Sequence, residues 1–199
     1  MGNKSESTAV WNRRPRVVVV GLGNSILQDN GVGVHAVRRF QQIVPRPCLA
    51  VELGTTIYDA ARLFESADRI LAFDSVEAGG KPGSIYLLRA EEIMDSFNCS
   101  SLHDMELIKV LRTLRHAPDE VLIIDAEPQS MEWGINLSPE LEIAVPIMVS
   151  MAQKVVAKWK SIDLGRAQID LTSIIQESKS RLREQIADFR PVLKKSLSA

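Results

Sequence analysis

Four β-branched residues in a row, Val17 to Val20, run directly into Gly21-Leu22-Gly23-Asn24. A run that apolar and that short suits a strand covered on both faces, as in a parallel sheet. Glycines at its end let the backbone turn sharply or approach another group closely. Gln28-Asp29-Asn30 and Gly31-Val32-Gly33 follow, and a helical pattern then runs from about Val32 to Ile43. Polar side chains therefore sit on a loop between the carboxyl end of a strand and a helix, which is where ligands bind in open α/β sheets.

The alternation repeats along the chain. Pro45-Arg46-Pro47 breaks it, Cys48 to Leu53 reads as a strand ending at Gly54-Thr55-Thr56, and Ile57 to Glu65 reads as helical. Arg69 to Phe73 is a third strand ending in Asp74. The Gly-Gly-Lys-Pro-Gly turn at 79–83 then leads to a strand from Ser84 to Leu88, which suggests a hairpin and an antiparallel neighbour. Residues 90–100 read as irregular, Leu102 to Leu114 has helix periodicity, and Val121 to Ile124 is a strand ending at Asp125-Ala126-Glu127-Pro128. Ser138 as N-cap and Pro139 at the first helical position open a long helix to about Lys160, with Pro146 inside it as a candidate kink. Strands alternating with helices imply an α/β fold, a three-layer α/β/α sandwich around a twisted, mostly parallel sheet of about five strands.

This reading gives a loose tail over 1–15, one α/β domain over 16–160, and an extension over 161–199. In the extension, Ser173-Ile-Ile-Gln176 looks like a capping box, and Ile175, Leu182, Ile186, Phe189 and Leu193 form an apolar stripe. Such a helix suits packing on the sandwich, or docking a partner or a second subunit. A chain of 199 residues is long enough for one domain with a proper core and short for two.

A formal net charge of −1 argues against a nucleic-acid binder that works by neutralising phosphates. Cys48 and Cys99 have no CxxC spacing and fit a reduced compartment. The polar N-terminus lacks a secretory apolar run, and Glu6 stands where a myristoylation pattern at Gly2 wants Ser or Thr. No apolar run approaches the roughly 20 residues of a membrane span. The expectation is a cytoplasmic protein, monomeric, with no nucleic acid and no membrane.

Candidate chemistry follows from the strand ends. A dinucleotide fingerprint built on Gly21 and Gly23 would need a third glycine where Ile26 stands, no Gly-Lys-Ser/Thr supports a P-loop, and no G-x-S-x-G supports a serine nucleophile. A metal site fits better. Asp74 ends a buried strand, where a carboxylate is costly unless paired, hydrogen-bonded or bound to a cation. Asp29 and Asn30 end another, and His103 opens a helix beside Asp104. Oxygens and one imidazole with open positions suit nickel, zinc or a similar divalent ion. The bland alternative is equally open at this point: Asp74 caps a turn, Asn30 caps a helix, and His103 is a surface residue. Cys99 and His103 could form a thiol pair, Asp125 and Glu127 a carboxylate pair, while His35 and His116 read as structural or solvent-exposed.

The order GLGNSILQDNGVG, ELGTT, ILAFDSVEAGGKPGSIYLL, SLHDMELIKVL, then the Glu127-Pro128 turn with GINLSPELE, resembles the hydrogenase maturation endopeptidases over about Arg16 to Trp159. The resemblance implies a twisted sheet flanked by helices and removal of a C-terminal extension from the [NiFe] hydrogenase large-subunit precursor once nickel is inserted. It implies that nickel carried by the substrate, with zinc or cadmium able to stand in, is contacted at Asn30, Asp74 and His103, the catalytic and metal-contacting set. Gly54, Thr55 and Thr56, with Asp29, fall near the substrate cleft. Asn30 departs from the family, which usually has Glu or Asp there. Asp29, Asp104 or Asp125 could supply a base. Asn30 motivates a rival reading, a non-catalytic chaperone for the same precursor, and the Gly21–Gly23 turn motivates a nucleotide-binding one.

Overall fold

The computed structural model describes residues 16–44, 48–95 and 101–163. Strand β1, Val17–Leu22, leads through a 3₁₀ turn at Gln28–Gly31 into helix α1, Val32–Gln41. Strand β2, Cys48–Gly54, leads through a second 3₁₀ turn at Ile57–Ala60 into α2, Ala61–Glu65. Then come β3, Arg69–Ser75; β4, Ile85–Arg89; α3, Ala90–Asp95; α4, Leu102–Thr113; β5, Glu120–Ala126; and α5, Pro139–Asp163. The five strands form one sheet in the order β2-β1-β3-β5-β4, parallel except for β4.

Successive side chains of a strand point to opposite faces, and here both faces are buried. Val17, Val19, Leu71, Phe73, Leu122 and Ile124 join α1 and α5 in one core. Val18, Val20, Ile70, Ala72 and Ile123 join the α2, α3 and α4 side in the other. This is the three-layer sandwich expected from the sequence.

Helix α1 lies directly on the strand backbones. A Cβ on Gly33 would stand 2.2 Å from the Phe73 carbonyl oxygen and 2.5 Å from that of Leu22. That close seat fixes the amino end of α1, and the turn before it, over the carboxyl ends of β1 and β3. Helix α5 buries Leu141, Ala144, Val145, Met148, Val149, Ala152, Val155, Val156 and Trp159 on one stripe. It continues through Pro146. Pro146 lies on the exposed face of α5, as does Glu142 four residues earlier, so the carbonyl left without a helical partner can be hydrated. At its far end the Trp159 indole donates to Glu120 at 2.6 Å, and the Arg69 guanidinium lies 5.9 Å from the ring.

Two local expectations are corrected. The Gly79–Gly83 turn does not join a hairpin, because β4 pairs with β5 and not with β3. The reason lies in the 76–84 connection, which crosses the carboxyl end of β5. Val76 N–H donates to the Ala126 carbonyl at 3.0 Å, Gly83 N–H to the Glu127 carbonyl at 2.8 Å, and Glu127 N–H to the Ser84 carbonyl at 2.9 Å. The Glu127 carboxylate accepts from the N–H groups of Ala78 and Gly79 and from the Tyr86 hydroxyl, at 3.0–3.1 Å. Residues 90–95, read as irregular, form α3. The tail over 1–15 and all of the extension beyond 163 lie outside the described residues, and α5 runs three residues past the expected boundary at 160. Among the described residues no helix is long and apolar enough to cross a membrane.

The seat of α1 is a testable constraint. Gly33→Ala should lower unfolding stability by about 2–3 kcal/mol or more, because the added methyl meets backbone that cannot rotate away. Urea unfolding followed by circular dichroism measures this; an unchanged midpoint contradicts the close seat.

Candidate functional site

The site grows from the pairing of β3 with β5. Asp74 and Asp125 are direct register partners. Each stands two residues beyond a side chain of the α4-facing core, Ala72 and Ile123, so both carboxylates point toward the amino end of α4. There Ser101 is the N-cap in a reciprocal capping box. Its hydroxyl accepts from Asp104 N–H at 2.9 Å, while Ser101 N–H donates to Asp104 Oδ2 at 3.1 Å. The same hydroxyl donates its hydrogen to Asp74 Oδ2. His103, one turn position earlier than Asp104, brings Nδ1 to 3.4 Å from Asp74 Oδ1.

All four ionisable groups are buried, Asp74, Asp104 and Asp125 completely and His103 to 7% exposure. One oxygen each from Asp74, Asp104 and Asp125 lies within 4.8 Å of the other two. Among the described residues, Asp74 Oδ1, His103 Nδ1, Asp104 Oδ1 and both oxygens of Asp125 have no hydrogen-bond partner. Burial, followed by the neighbouring Asp74 charge, holds the Asp104 carboxyl well above the usual carboxylate range. Burial, followed by Asp104 and Asp74, does the same to Asp125. For His103 burial pulls the imidazole down, but the Asp74 carboxylate outweighs it and the net direction is up.

Asn30 arrives from the other side of the strand end. Its Oδ1 accepts from Asn24 N–H at 2.8 Å, and its amide nitrogen points to Ser75 Oγ at 3.5 Å and Met131 Sδ at 3.8 Å. Gly23 lies between this loop and Asp74. At φ +104°, a Cβ on Gly23 would stand 1.9 Å from the Asn30 carbonyl oxygen and 3.5 Å from Asp74 Oδ1. The two segments therefore converge, with Asn30's side-chain oxygen engaged locally. Thr55 and Thr56 are exposed next to this edge, where Gly54 accepts the Gly23 N–H at 3.2 Å.

Asp29 does not turn into the cleft. Its carboxylate is fully buried and accepts from Gln129 and Ser130 N–H at 2.8 and 3.1 Å and from Ser138 N–H at 2.7 Å. It pins the loop after β5 and the start of α5, so the substrate-contacting and base roles considered for it are replaced by a structural one. Glu127 is likewise committed to the 78–79 backbone and Tyr86, so no Asp125–Glu127 pair forms. Burial pushes the Cys48 thiol up to about 12, and Cys99 lies outside the described residues. His35 is half-buried on α1 and His116 is exposed.

Sequence reasoning named Asp74 and His103 and missed Ser101 and the three-carboxylate cluster. The S-x-x-D spacing of Ser101 and Asp104 carried the first signal. Two strands each ending in Asp carried half of the second, their adjacency being a matter of register.

Two predictions follow from these bonds. Asp29→Ala leaves three backbone donors unpaired and should cost roughly 3 kcal/mol in a urea unfolding measurement; a loss within experimental error contradicts the pinning role. In metal-free buffer the raised Asp125 carboxyl makes folding increasingly unfavourable as pH rises above the ordinary carboxylate range, because the unfolded chain ionises first. Asp125→Asn should therefore gain stability over the natural chain at pH 7, with the gap shrinking toward pH 4. A gap that widens on acidification contradicts it.

Comparison with known proteins agrees with this architecture. A family model described as hydrogenase maturation protease matches residues 34–155, which includes Asp74 and His103. The hydrogenase expression/formation protein HupD of Bradyrhizobium diazoefficiens is 30% identical over 152 residues, covering 72% of this chain and 79% of the relative. The hydrogenase 2 maturation protease of Escherichia coli is 30% identical over 137 residues, covering 65% of this chain and 84% of the relative. The solved structure of the hydrogenase maturating endopeptidase HybD from Escherichia coli superposes with a TM-score of 0.66 at 26% identity, over 72% of this chain and 93% of that one. A five-stranded sheet of this order, with an acid and an imidazole meeting at its carboxyl edge, thus belongs to a chain that is a member of the hydrogenase maturation protease family.

Proposed function

We propose that the protein is the endopeptidase that removes the C-terminal extension of a nickel-loaded [NiFe] hydrogenase large-subunit precursor. The observation that carries this reading is the meeting of Asp74 and His103, 3.4 Å apart, at the carboxyl edge of the sheet. Nickel here is part of the substrate. His103 turns Nδ1 toward Asp74, which leaves Nε2, on the far side of the ring, as its donor to an incoming ion. The pairing fixes the ring's orientation in the way a carboxylate behind a metal-binding histidine does. Ser101 holds the other Asp74 oxygen and so sets the direction in which that carboxylate is offered.

The ion's grip then rests on Asp74 and His103, with the Asn30 loop as a wall and Thr55 and Thr56 along the cleft. Bound this way, the substrate's nickel brings the adjacent peptide to the edge and polarises its carbonyl or an attacking water. Exposed apolar side chains support the docking of a large partner close by. Leu102 is 71% and Trp133 80% exposed, next to His103 and near Met131, and apolar residues left open in this way mark partner surfaces.

Processing of the nickel-loaded precursor, followed as the mass shift of the large subunit, tests the reading. Asp74→Ala and His103→Ala should each slow cleavage by about 100-fold or more, the scale of losing one directed electrostatic contact in a dry site. Asn30→Asp should speed it, since a unit charge about 4 Å from an ion is worth roughly 4 kcal/mol per charge at an effective dielectric of 20, before desolvation. Full activity in the Asp74→Ala, His103→Ala double variant overturns the proposal. A natural chain that captures precursor without releasing peptide makes it a holding protein instead.

A further inference from the structure

The sheet face beneath α4 carries more carboxyl groups than an Asp74–His103 pair requires. Asp74 on β3, its register partner Asp125 on β5, and Asp104 on the first turn of α4 come from three separate elements, yet their oxygens lie within 4.8 Å of one another. Oxygens that share one hard ion lie no farther apart than twice the bond length, about 4.2 Å for magnesium and about 4.8 Å for calcium, so three within 4.8 Å of one another are close enough to meet at one ion. Among the described residues none of the three pairs with Lys or Arg. Asp125 has both oxygens without a hydrogen-bond partner there, and Asp74 and Asp104 one each. A separate group points the same way. His103 is itself more than nine-tenths buried, and its Nδ1 faces the cluster at ion-pair distance from Asp74 Oδ1, 3.4 Å, without making a hydrogen bond.

We propose that Asp74, Asp104 and Asp125 form an internal site for a hard divalent cation of the magnesium, manganese or calcium class, tying the amino end of α4 to β3 and β5. An all-carboxylate set selects such ions over nickel or zinc, which favour nitrogen and sulfur. A dication leaves one of the three negative charges uncancelled, and that excess faces the His103 ring. The site shares Asp74 with the proposed nickel contact and stands whether or not that contact exists.

The test uses the full chain, stripped with a chelator and titrated with Mn²⁺ while free ion is followed by electron paramagnetic resonance. One Mn²⁺ per chain should bind, be displaced by Mg²⁺ or Ca²⁺, and raise the thermal midpoint. Asp125→Asn and Asp104→Asn should each weaken it by more than about 100-fold, beyond the roughly 10–100-fold that outer partners of a metal carry, whereas His103→Ala keeps it. Asp104→Asn retains an acceptor for Ser101 N–H and reads the same loss where Asp125→Asn does not fold. Absence of stoichiometric Mn²⁺, or natural affinity retained in both variants, overturns the inference. So does an Asp125→Asn chain more stable than the natural one with Mn²⁺ as well as without, which marks carboxyls that share protons. Binding lost in His103→Ala but kept in both carboxylate variants places the ion at the substrate-nickel contact, which overturns the internal site and leaves the proposed function standing.

Discussion

The parallel pairing of β3 with β5 sets two carboxylates side by side under a helix, and the rest of the site answers that constraint. Strands this deep in a sandwich are apolar on both faces, so Asp74 and Asp125 stand beyond Ala72 and Ile123 where aliphatic side chains would ordinarily close the core. Removing an ionised carboxylate from water costs several kcal/mol even after relaxation. What surrounds the pair lowers that cost: the amino end of α4, with its positive dipole, the Ser101 hydroxyl, and the His103 imidazole. The helix cap and the strand-end acid are therefore one construction, since Ser101 serves both with a single hydroxyl.

Hydrogen-bond saturation separates the buried acids by role. Asp29 accepts three backbone N–H groups, and Glu127 accepts two and a phenol. Such acids are filled, and their work is to hold loops that cross the sheet's carboxyl edge. Asp74, Asp104 and Asp125 keep open oxygens at equal depth. An unfilled acceptor in a dry place is destabilising unless a proton or a cation supplies what the fold does not. Depth alone does not distinguish the two groups, whereas the partner list does.

The layered fold was legible because β1 announces burial on both faces with four branched residues, and because turns rich in glycine or aspartate follow each parallel strand. Asp74 and His103 were legible for a related reason: one ends an apolar run and the other opens a periodic one. Asp29 was misjudged because the groups that fill it, Gln129, Ser130 and Ser138, stand about a hundred residues away in sequence. No local pattern reports such a bond. The place of β4 failed similarly. A short glycine turn implies a hairpin only if the strand ahead has a free edge, and β3 gives that edge to β5. Asp125 was visible as a strand-end acid, but its adjacency to Asp74 is a property of register, which the chain's lettering does not encode.

Asn30 makes physical sense within this distribution of charge. The resemblance implies an acid at that position, yet the pocket here presents a donor and acceptors together. Asn24 N–H meets the side-chain oxygen at 2.8 Å, while Ser75 Oγ and Met131 Sδ face the nitrogen. An amide satisfies both sides, whereas a carboxylate would set an oxygen against the methionine sulfur, which has no hydrogen to give. The acidic groups of the site stand one layer lower, in Asp104 and Asp125 beside Asp74. Because Coulombic interaction falls only inversely with distance in a dry interior, each acid placed there makes its neighbours harder to ionise. The loop that rims this strand end is thus neutral at Asn30, and the unfilled carboxyl oxygens lie in the sheet and helix beneath it.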